Sequence, residues 1–259
     1  MLDTLINGGT VVSDGAIFKA DVGIKDGSIV GLWRGDHGVA AAETVDATGK
    51  IVMPGAIDVH LHTQTGSIVH STRADNMETA TRSAALGGIT SAIVFVWGDP
   101  KQPVREYLSK FLDLAGSLSV CDYSAHCGVR PDPELIRQIP DAFALGVTSF
   151  KFTYSYRRTG QGRTTDDYHS TMALDFIGRQ GGLATFHCEN GDMIDYLEDR
   201  FIREGKTSYR YLLPSRPNIA EWVAAGGAVG TNGSLVERWS GILSRATASR
   251  AASSAGTPP

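Results

Sequence analysis

Hydrophobic and polar residues follow one another in short alternating runs over the first fifty or so residues of the chain. Turns that contain glycine separate these runs, which predict β-strands at residues 4–6, 10–12, 21–24, 28–32 and 44–46. Asp26-Gly27 lies between two of them and is a typical two-residue hairpin turn. The pattern predicts a small N-terminal antiparallel β module, a β-rich annex over residues 1–54.

From about residue 55 apolar strands alternate with amphipathic helices. Strands are predicted at residues 56–62, 90–97, 120–129, 148–153 and 183–188, and helices at 77–86, 104–115, 133–145, 172–179 and 193–204. Strands separated by single helices indicate right-handed βαβ units and a parallel sheet. The expected fold class is α/β: residues 55–223 form the first five βα units of a partial (β/α)8 TIM barrel, a fold whose active sites lie at the carboxyl ends of the strands.

The last part of the chain, residues 224–259, differs in composition from everything before it. It consists mainly of alanine, glycine, serine and threonine and contains no lysine, histidine or aspartate. Apolar residues at 235, 239, 242 and 243 share one helical face and predict one or two amphipathic turns. Beyond residue 244 the segment is of low complexity, and we expect it to be disordered.

The composition gives no reason to expect a nucleic-acid or membrane partner. The 259 residues carry a net charge of -4, and 42% of them are hydrophobic, which is enough for one large core. The first nine residues lack a basic segment and a long apolar run, so we expect neither a signal peptide nor a membrane span. Three cysteines, outside any paired metal spacing, are expected to be buried free thiols. These features predict a cytoplasmic protein that acts on a small molecule.

One strand carries polar groups where a purely structural strand would not. In the run from residue 57 to 62, Asp58, His60 and His62 point to one face, because side chains alternate along a strand. The alternative interpretation is a half-buried strand with two satisfied histidines. A proline-glycine turn before this strand, and further candidate ligands at the ends of later strands, favour a functional site.

Lys151 and His187 lie in the fourth and fifth strands of the predicted repeat. Lys151 is flanked by two phenylalanines, and a charged lysine in such a place is costly unless it is paired. A solvent-facing lysine on an edge strand is the alternative. In the barrel arrangement, both residues lie at the same end of the sheet as the two histidines.

These residue types suit metal chemistry. Two imidazoles on one strand face can bind a single zinc or similar ion. Burial lowers the pKa of a lysine amine, and the neutral amine can add carbon dioxide to give a carbamate that bridges two cations. His60 and His62 on one metal ion, His187 on a second and a carboxylated Lys151 between them could hold a bridging hydroxide at neutral pH.

Several motifs resemble the cyclic-amidohydrolase family of D-hydantoinases and dihydropyrimidinases. They are Asp58-x-His60-x-His62, the run from Gly146 to Lys151, His187-x-Glu189-Asn190-Gly191-Asp192 and Ser215-Arg216-Pro217. Their order and spacing are similar to those of the family from the first residues to about Trp222. The resemblance implies an amidohydrolase-type barrel with a composite β-sandwich, a binuclear zinc centre, hydrolysis of a cyclic amide in hydantoin or dihydropyrimidine rings, and a homotetramer.

The resemblance also implies a role for individual residues. His60 and His62 match ligands of the first metal ion, Lys151 matches the carboxylated bridging lysine, and His187 matches a ligand of the second. Tyr156 matches the tyrosine that hydrogen-bonds the oxyanion of the tetrahedral intermediate. Dihydroorotases, which are related, carry an arginine for the substrate carboxylate where this chain has Gln64, so a hydantoinase-like substrate is favoured.

The chain departs from the family pattern in its last part. The family uses a further histidine from the sixth strand, and an aspartate from the eighth strand as metal ligand and proton shuttle. This sequence has no histidine after His187 and no aspartate after Asp199. We therefore expect impaired hydrolysis; the alternative is an inactive fragment, or a non-catalytic oligomerising subunit of the same family.

The abrupt change after Trp222 suggests that truncation or a shifted reading frame replaced the later units, and a natural short form is the alternative. Five βα units cannot close an eight-stranded barrel. The expected consequence is poor solubility or self-association.

Overall fold

The computed structural model describes residues 1–64, 74–158 and 162–235. The described residues form two compact units, Met1–Ala56 and the remainder from Ile57 onward. The amphipathic turns and disorder predicted beyond residue 235 lie outside the described residues. None of the described helices is both long enough and apolar enough to cross a bilayer.

The first unit consists of seven strands in two small sheets. The strands are β1 Leu2–Asn7, β2 Thr10–Ser13, β3 Ala16–Lys19, β4 Asp21–Lys25, β5 Ser28–Trp33, β6 Ala41–Asp46 and β7 Ile51–Val52. One sheet has the order β5-β4-β1-β6 and the other β3-β2-β7. The predicted antiparallel pairing is confirmed for β1 with β4 and for β4 with β5, whereas β6 and β7 join β1 and β2 in parallel. Asp26 and Gly27 both have positive φ, as the predicted hairpin turn requires.

The second unit contains five strands in one sheet, in the sequential order β8 to β12. The strands are β8 Ala56–Leu61, β9 Ile89–Trp97, β10 Asp122–Gly128, β11 Ser149–Thr153 and β12 Leu183–His187. The helices are α1 Met77–Leu86, α2 Val104–Leu118, α3 Pro133–Ile136, α4 Ile139–Ala144, α5 Asp167–Arg179, α6 Gly191–Arg203 and α7 Asn218–Leu235. Pairing from β9 to β12 is parallel throughout, so the predicted βαβ repeat of a partial barrel is confirmed.

The two faces of this sheet have different roles. One face packs against the helices and carries fully buried apolar side chains, among them Val94, Val96, Cys127, Phe150, Phe152 and Ala184. The residues between them point to the other side, which we call the inner face. Strand register places Phe95 beside His126, Lys151 beside Gly128 and His187 beside Thr153 on that inner face. The candidate chemistry therefore lies on the face away from the helices.

The single helix predicted at 133–145 is wrong, because the structure has two short helices there. Pro140 has no N–H, so it cannot donate to the carbonyl of Ile136, and the chain restarts a helix at Ile139. Two other helices begin earlier than predicted, where Asp166 and Asn190 act as N-caps for α5 and α6.

The composition change at residue 224 does not end the ordered structure. Helix α7 continues through it, and Ala224 and Ala228 are buried against Tyr154. Small alanine side chains allow the helix to pack closely at this place. The first part of the atypical segment is thus helical.

Candidate metal centre

His60 and His62 lie at the carboxyl end of β8, with ring centroids 5.2 Å apart. Leu61, between them, points to the other side and packs against the helix-side core. Asp58, the third polar residue of the strand, accepts a hydrogen bond from the His60 backbone N at 2.9 Å. Both histidines are exposed, so an ion can reach them.

Lys151 lies on β11, between β10 and β12, and is therefore not on an edge strand. Its Nζ atom is 5.0 Å from the centroid of the Phe95 ring. Burial lowers the pKa of Lys151, and the nearby Cys188 thiol acts weakly in the opposite sense. A larger fraction of neutral amine is present at neutral pH as a result, which is the form that reacts with carbon dioxide.

The ring of Phe95 connects these groups. It lies 4.5 Å from the His60 ring and 4.8 Å from the His62 ring, and it is stacked on the latter. Burial of the His60 ring on this side lowers its pKa, and the charge of Lys151 lowers it further. His60 is therefore held in the neutral form that binds metal ions.

His187 lies at the end of β12 and has a carboxylate partner. Its Nε2 donates to Glu189 Oε2 at 2.5 Å, which leaves the Nδ1 lone pair for another ligand. Glu189 also accepts from Ser155 Oγ at 3.4 Å and lies 3.5 Å from Arg216. The bond from His187 is the main reason that the pKa of Glu189 is lowered. The orientation of the imidazole is thus set by a charged and anchored group.

Tyr156 lies beside His187, with ring centroids 5.2 Å apart, and 41% of its surface is exposed. Its φ of 63° is in the left-handed region, which is strained for a residue with a side chain. Ser155 holds this conformation, because its Oγ donates to the Glu189 carbonyl at 3.0 Å and its own carbonyl accepts from Thr164 Oγ1 at 2.6 Å. The turn directs Tyr156 toward the end of β12.

Three other polar residues of the second unit have different roles. His126 is buried on the inner face, and its Nε2 donates to the Val59 carbonyl of β8 at 2.9 Å. Asp166 caps helix α5 and contacts His169, while Asp75 contacts Thr79 at the start of α1. Sequence reasoning could not separate these cases, since only spatial neighbours distinguish an inner-face histidine from a helix cap.

The donor set suits one zinc ion. Among the residues that the structure describes, no three His, Cys, Asp or Glu side chains converge as metal ligands. His60 and His62 therefore need a third ligand, and a carboxylated Lys151 beside the same ring is of the right type. His187 has a free Nδ1 position but lies on a separate strand with its own carboxylate partner.

Curated proteins similar to this chain are hydantoinases and dihydropyrimidinases. D-hydantoinases from Rhizobium radiobacter and Ralstonia pickettii are each 39% identical over 221 residues, which is 85% of this chain and 47% of theirs. A dihydropyrimidinase from Dictyostelium discoideum is 30% identical over 227 residues, 87% of this chain and 44% of its own. The chain thus spans about half the length of the curated relatives that it matches. No protein-family model matches it.

Solved structures that are similar in fold are also hydantoinases. A D-hydantoinase structure has a TM-score of 0.85 and 35% identity, covering 98% of this chain and 56% of that one. The L-hydantoinase (dihydropyrimidinase) from Arthrobacter aurescens has a TM-score of 0.82 and 25% identity, covering 91% and 51%. The fold of the described residues is therefore that of part of an amidohydrolase-type barrel.

Within that class, the chain belongs to the D-hydantoinase and dihydropyrimidinase family of cyclic amidohydrolases. The family resemblance of the motifs is therefore confirmed. The roles of individual residues in this chain follow as proposals.

Proposed function

We propose that this chain carries part of the machinery for metal-dependent hydrolysis of the cyclic amide bond in hydantoin or dihydropyrimidine rings. The supporting observation is the grouping of His60, His62 and Lys151 around the Phe95 ring. The kinship to proteins named hydantoinase and dihydropyrimidinase supports the class of substrate.

The proposed ligands are His60, His62 and a carboxylated Lys151 for one zinc ion, and His187 Nδ1 is the proposed ligand of a second. Zinc, when bound, lowers the pKa of water and polarises a carbonyl group. The protein's own part is to keep the imidazole of His60 neutral and to hold the Lys151 amine where carbon dioxide can reach it. The lowered pKa values of His60 and Lys151 support both.

Tyr156 is the proposed donor to the developing oxyanion. Its exposed hydroxyl-bearing ring beside His187, fixed by the Ser155 anchor, supports this role. A donor held in place before the reaction stabilises the transition state without reorganisation.

Turnover by this chain alone is proposed to be weak. The family's proton shuttle is an aspartate of the eighth strand, and the sequence has no aspartate beyond Asp199. We also propose a cytoplasmic homo-oligomer, a tetramer as the family resemblance implies. Ile57 and Val59 on β8, 63% and 59% exposed, offer apolar surface for association.

Ring opening of hydantoin and dihydrouracil by the zinc-loaded chain tests the proposal. We expect slow hydrolysis that is lost on chelation and in Lys151→Ala. Tyr156→Phe should lower kcat by about 10²-fold with an unchanged zinc content, because it removes only a transition-state donor.

Hydrolysis that survives Lys151→Ala would contradict the proposal. Zinc binding without any turnover, by contrast, would favour a non-catalytic subunit that keeps the metal site. His169→Ala serves as the control, since His169 contacts Asp166 at the start of α5 rather than the Phe95 ring.

A further inference from the structure

Phe95 is a large apolar residue on a face that otherwise carries the polar chemistry. Its neighbours Val94 and Val96 point into the helix-side core, so Phe95 points to the inner face. Only 3% of its surface is exposed, although it faces the site. The side chains that cover it are those of the candidate centre.

Four functional groups contact this one ring. The imidazoles of His60, His62 and His126 have centroids 4.5, 4.8 and 4.6 Å from it, and Lys151 Nζ is 5.0 Å away. These groups come from β8, β10 and β11, whereas the ring comes from β9. A single side chain thus touches candidate ligands from separate strands.

The ring is itself held in place. His126 stacks on it at an interplanar angle of 25° and is fixed at both nitrogens, by the Val59 carbonyl at 2.9 Å and Ser149 Oγ at 2.6 Å. Because a carbonyl can only accept, Nε2 carries the proton, and Nδ1 of the neutral ring accepts from Ser149. This pair of bonds joins β8 to β10 and β11 next to His60.

We propose that Phe95 is a positioning residue for the metal centre: its ring fixes the imidazoles of His60 and His62 and the amine of Lys151 in the arrangement that captures an ion. The proposal rests on the proposed function for the identity of the ligands. Ligand sites lose affinity when the groups that orient the ligands are removed, typically by 10- to 100-fold. An apolar ring can act in the same way through packing and stacking.

The test compares Phe95→Leu with Phe111→Leu in the full chain. Phe111 is also 3% exposed, but it belongs to the helix-side core and contacts Tyr123 there. Zinc affinity, measured by competition with a chelator, should fall about 10- to 100-fold in Phe95→Leu and stay within about two-fold in Phe111→Leu. Phe95→Tyr, which keeps the aromatic face, should restore most of the affinity.

A second readout needs no metal. In the metal-free chain, nuclear Overhauser contacts between the His60 and His62 rings should be present in the wild type and in Phe111→Leu. They should be lost in Phe95→Leu, because the imidazoles are then free to rotate.

The two readouts separate the possible failures. Unchanged zinc affinity in Phe95→Leu, or ring contacts that persist in it, would overturn the positioning role. If the wild type binds no zinc, the proposed function fails, and the ring contacts alone decide whether Phe95 orders the two histidines.

Discussion

Tyr156 shows how a single residue combines local strain with a candidate role. Its φ of 63° costs energy for any residue with a Cβ atom, and the hydrogen bonds of Ser155 hold the turn in place. Tyr156→Gly and Tyr156→Ala both remove the ring. We expect the glycine variant to be more stable than the alanine variant by about 1 kcal/mol, because glycine adopts this conformation without strain.

Urea unfolding of the two variants measures the difference. A control pair at Thr153, in regular strand structure two residues before the turn, should show the opposite order. An alanine variant at Tyr156 that equals or exceeds the glycine variant would mean that the backbone there is not strained.

The contacts of Asp21 predict that the stability of the first unit depends on pH. Its carboxylate accepts from the Gly8 backbone N at 2.7 Å and contacts His37 at 2.8 Å, and these bonds lower its pKa. A lowered pKa in the folded state means that the stabilisation is present at neutral pH and is lost as the pH falls below about 4, through the folded-state pKa. Asp21→Asn should therefore cost about 1 kcal/mol at pH 7 and less at pH 3.

Chemical unfolding at the two pH values gives this comparison. Asp14→Asn, in the exposed turn after β2, is the matched control and should change little at either pH. A cost for Asp21→Asn that is equal at pH 7 and pH 3 would exclude a contribution from the ionised carboxylate.

Site residues differ in how visible they are in the sequence. The alternation around His60 and His62 and the buried setting of Lys151 could be predicted, because each depends on neighbours along the chain. The role of Phe95 could not, since its partners lie on three other strands and only the sheet register brings them together.

At the level of elements, helix α6 begins in close contact with the end of β11. A Cβ atom at Gly191 would lie 2.9 Å from the Tyr154 carbonyl oxygen, so only glycine allows this approach. Gly191→Ala should destabilise the protein by about 1–3 kcal/mol, as overpacking does elsewhere.

Gly226 is a helical glycine with open space around it, so a substitution there should have the opposite effect from Gly191→Ala. Gly226→Ala should stabilise helix α7 by about 0.5–1 kcal/mol, because alanine loses less backbone entropy. Thermal unfolding of Gly191→Ala and Gly226→Ala measures the change in stability that each substitution causes. Equal effects of the two substitutions would show that α6 does not approach β11 as closely as described.

Strand and helix positions followed from the sequence where a pattern was long and regular, as for α1, which matches its predicted bounds. The break between α3 and α4 was missed, although Pro140 signals it, because the apolar spacing continues across the proline. Helix α7 was missed because its alanine- and glycine-rich composition gives a weak periodic signal, and burial against Tyr154 orders it.

For the molecule as a whole, the parallel order of β8 to β12 determines where the chemistry lies. Sequential strands with helices on one side leave the other side to the candidate ligands. Kinship to D-hydantoinases establishes the family, and the chain spans about half of those relatives. We therefore expect this part of the family's chain to hold a metal ion by itself.

Elemental analysis of the purified chain measures its metal content. We predict about one zinc per chain in the wild type and in His169→Ala, and close to none in Lys151→Ala, because two histidines and a carboxylated lysine complete one site. A zinc content that is the same in the wild type and in Lys151→Ala, whether one or none, would show that Lys151 does not complete a zinc site in this chain.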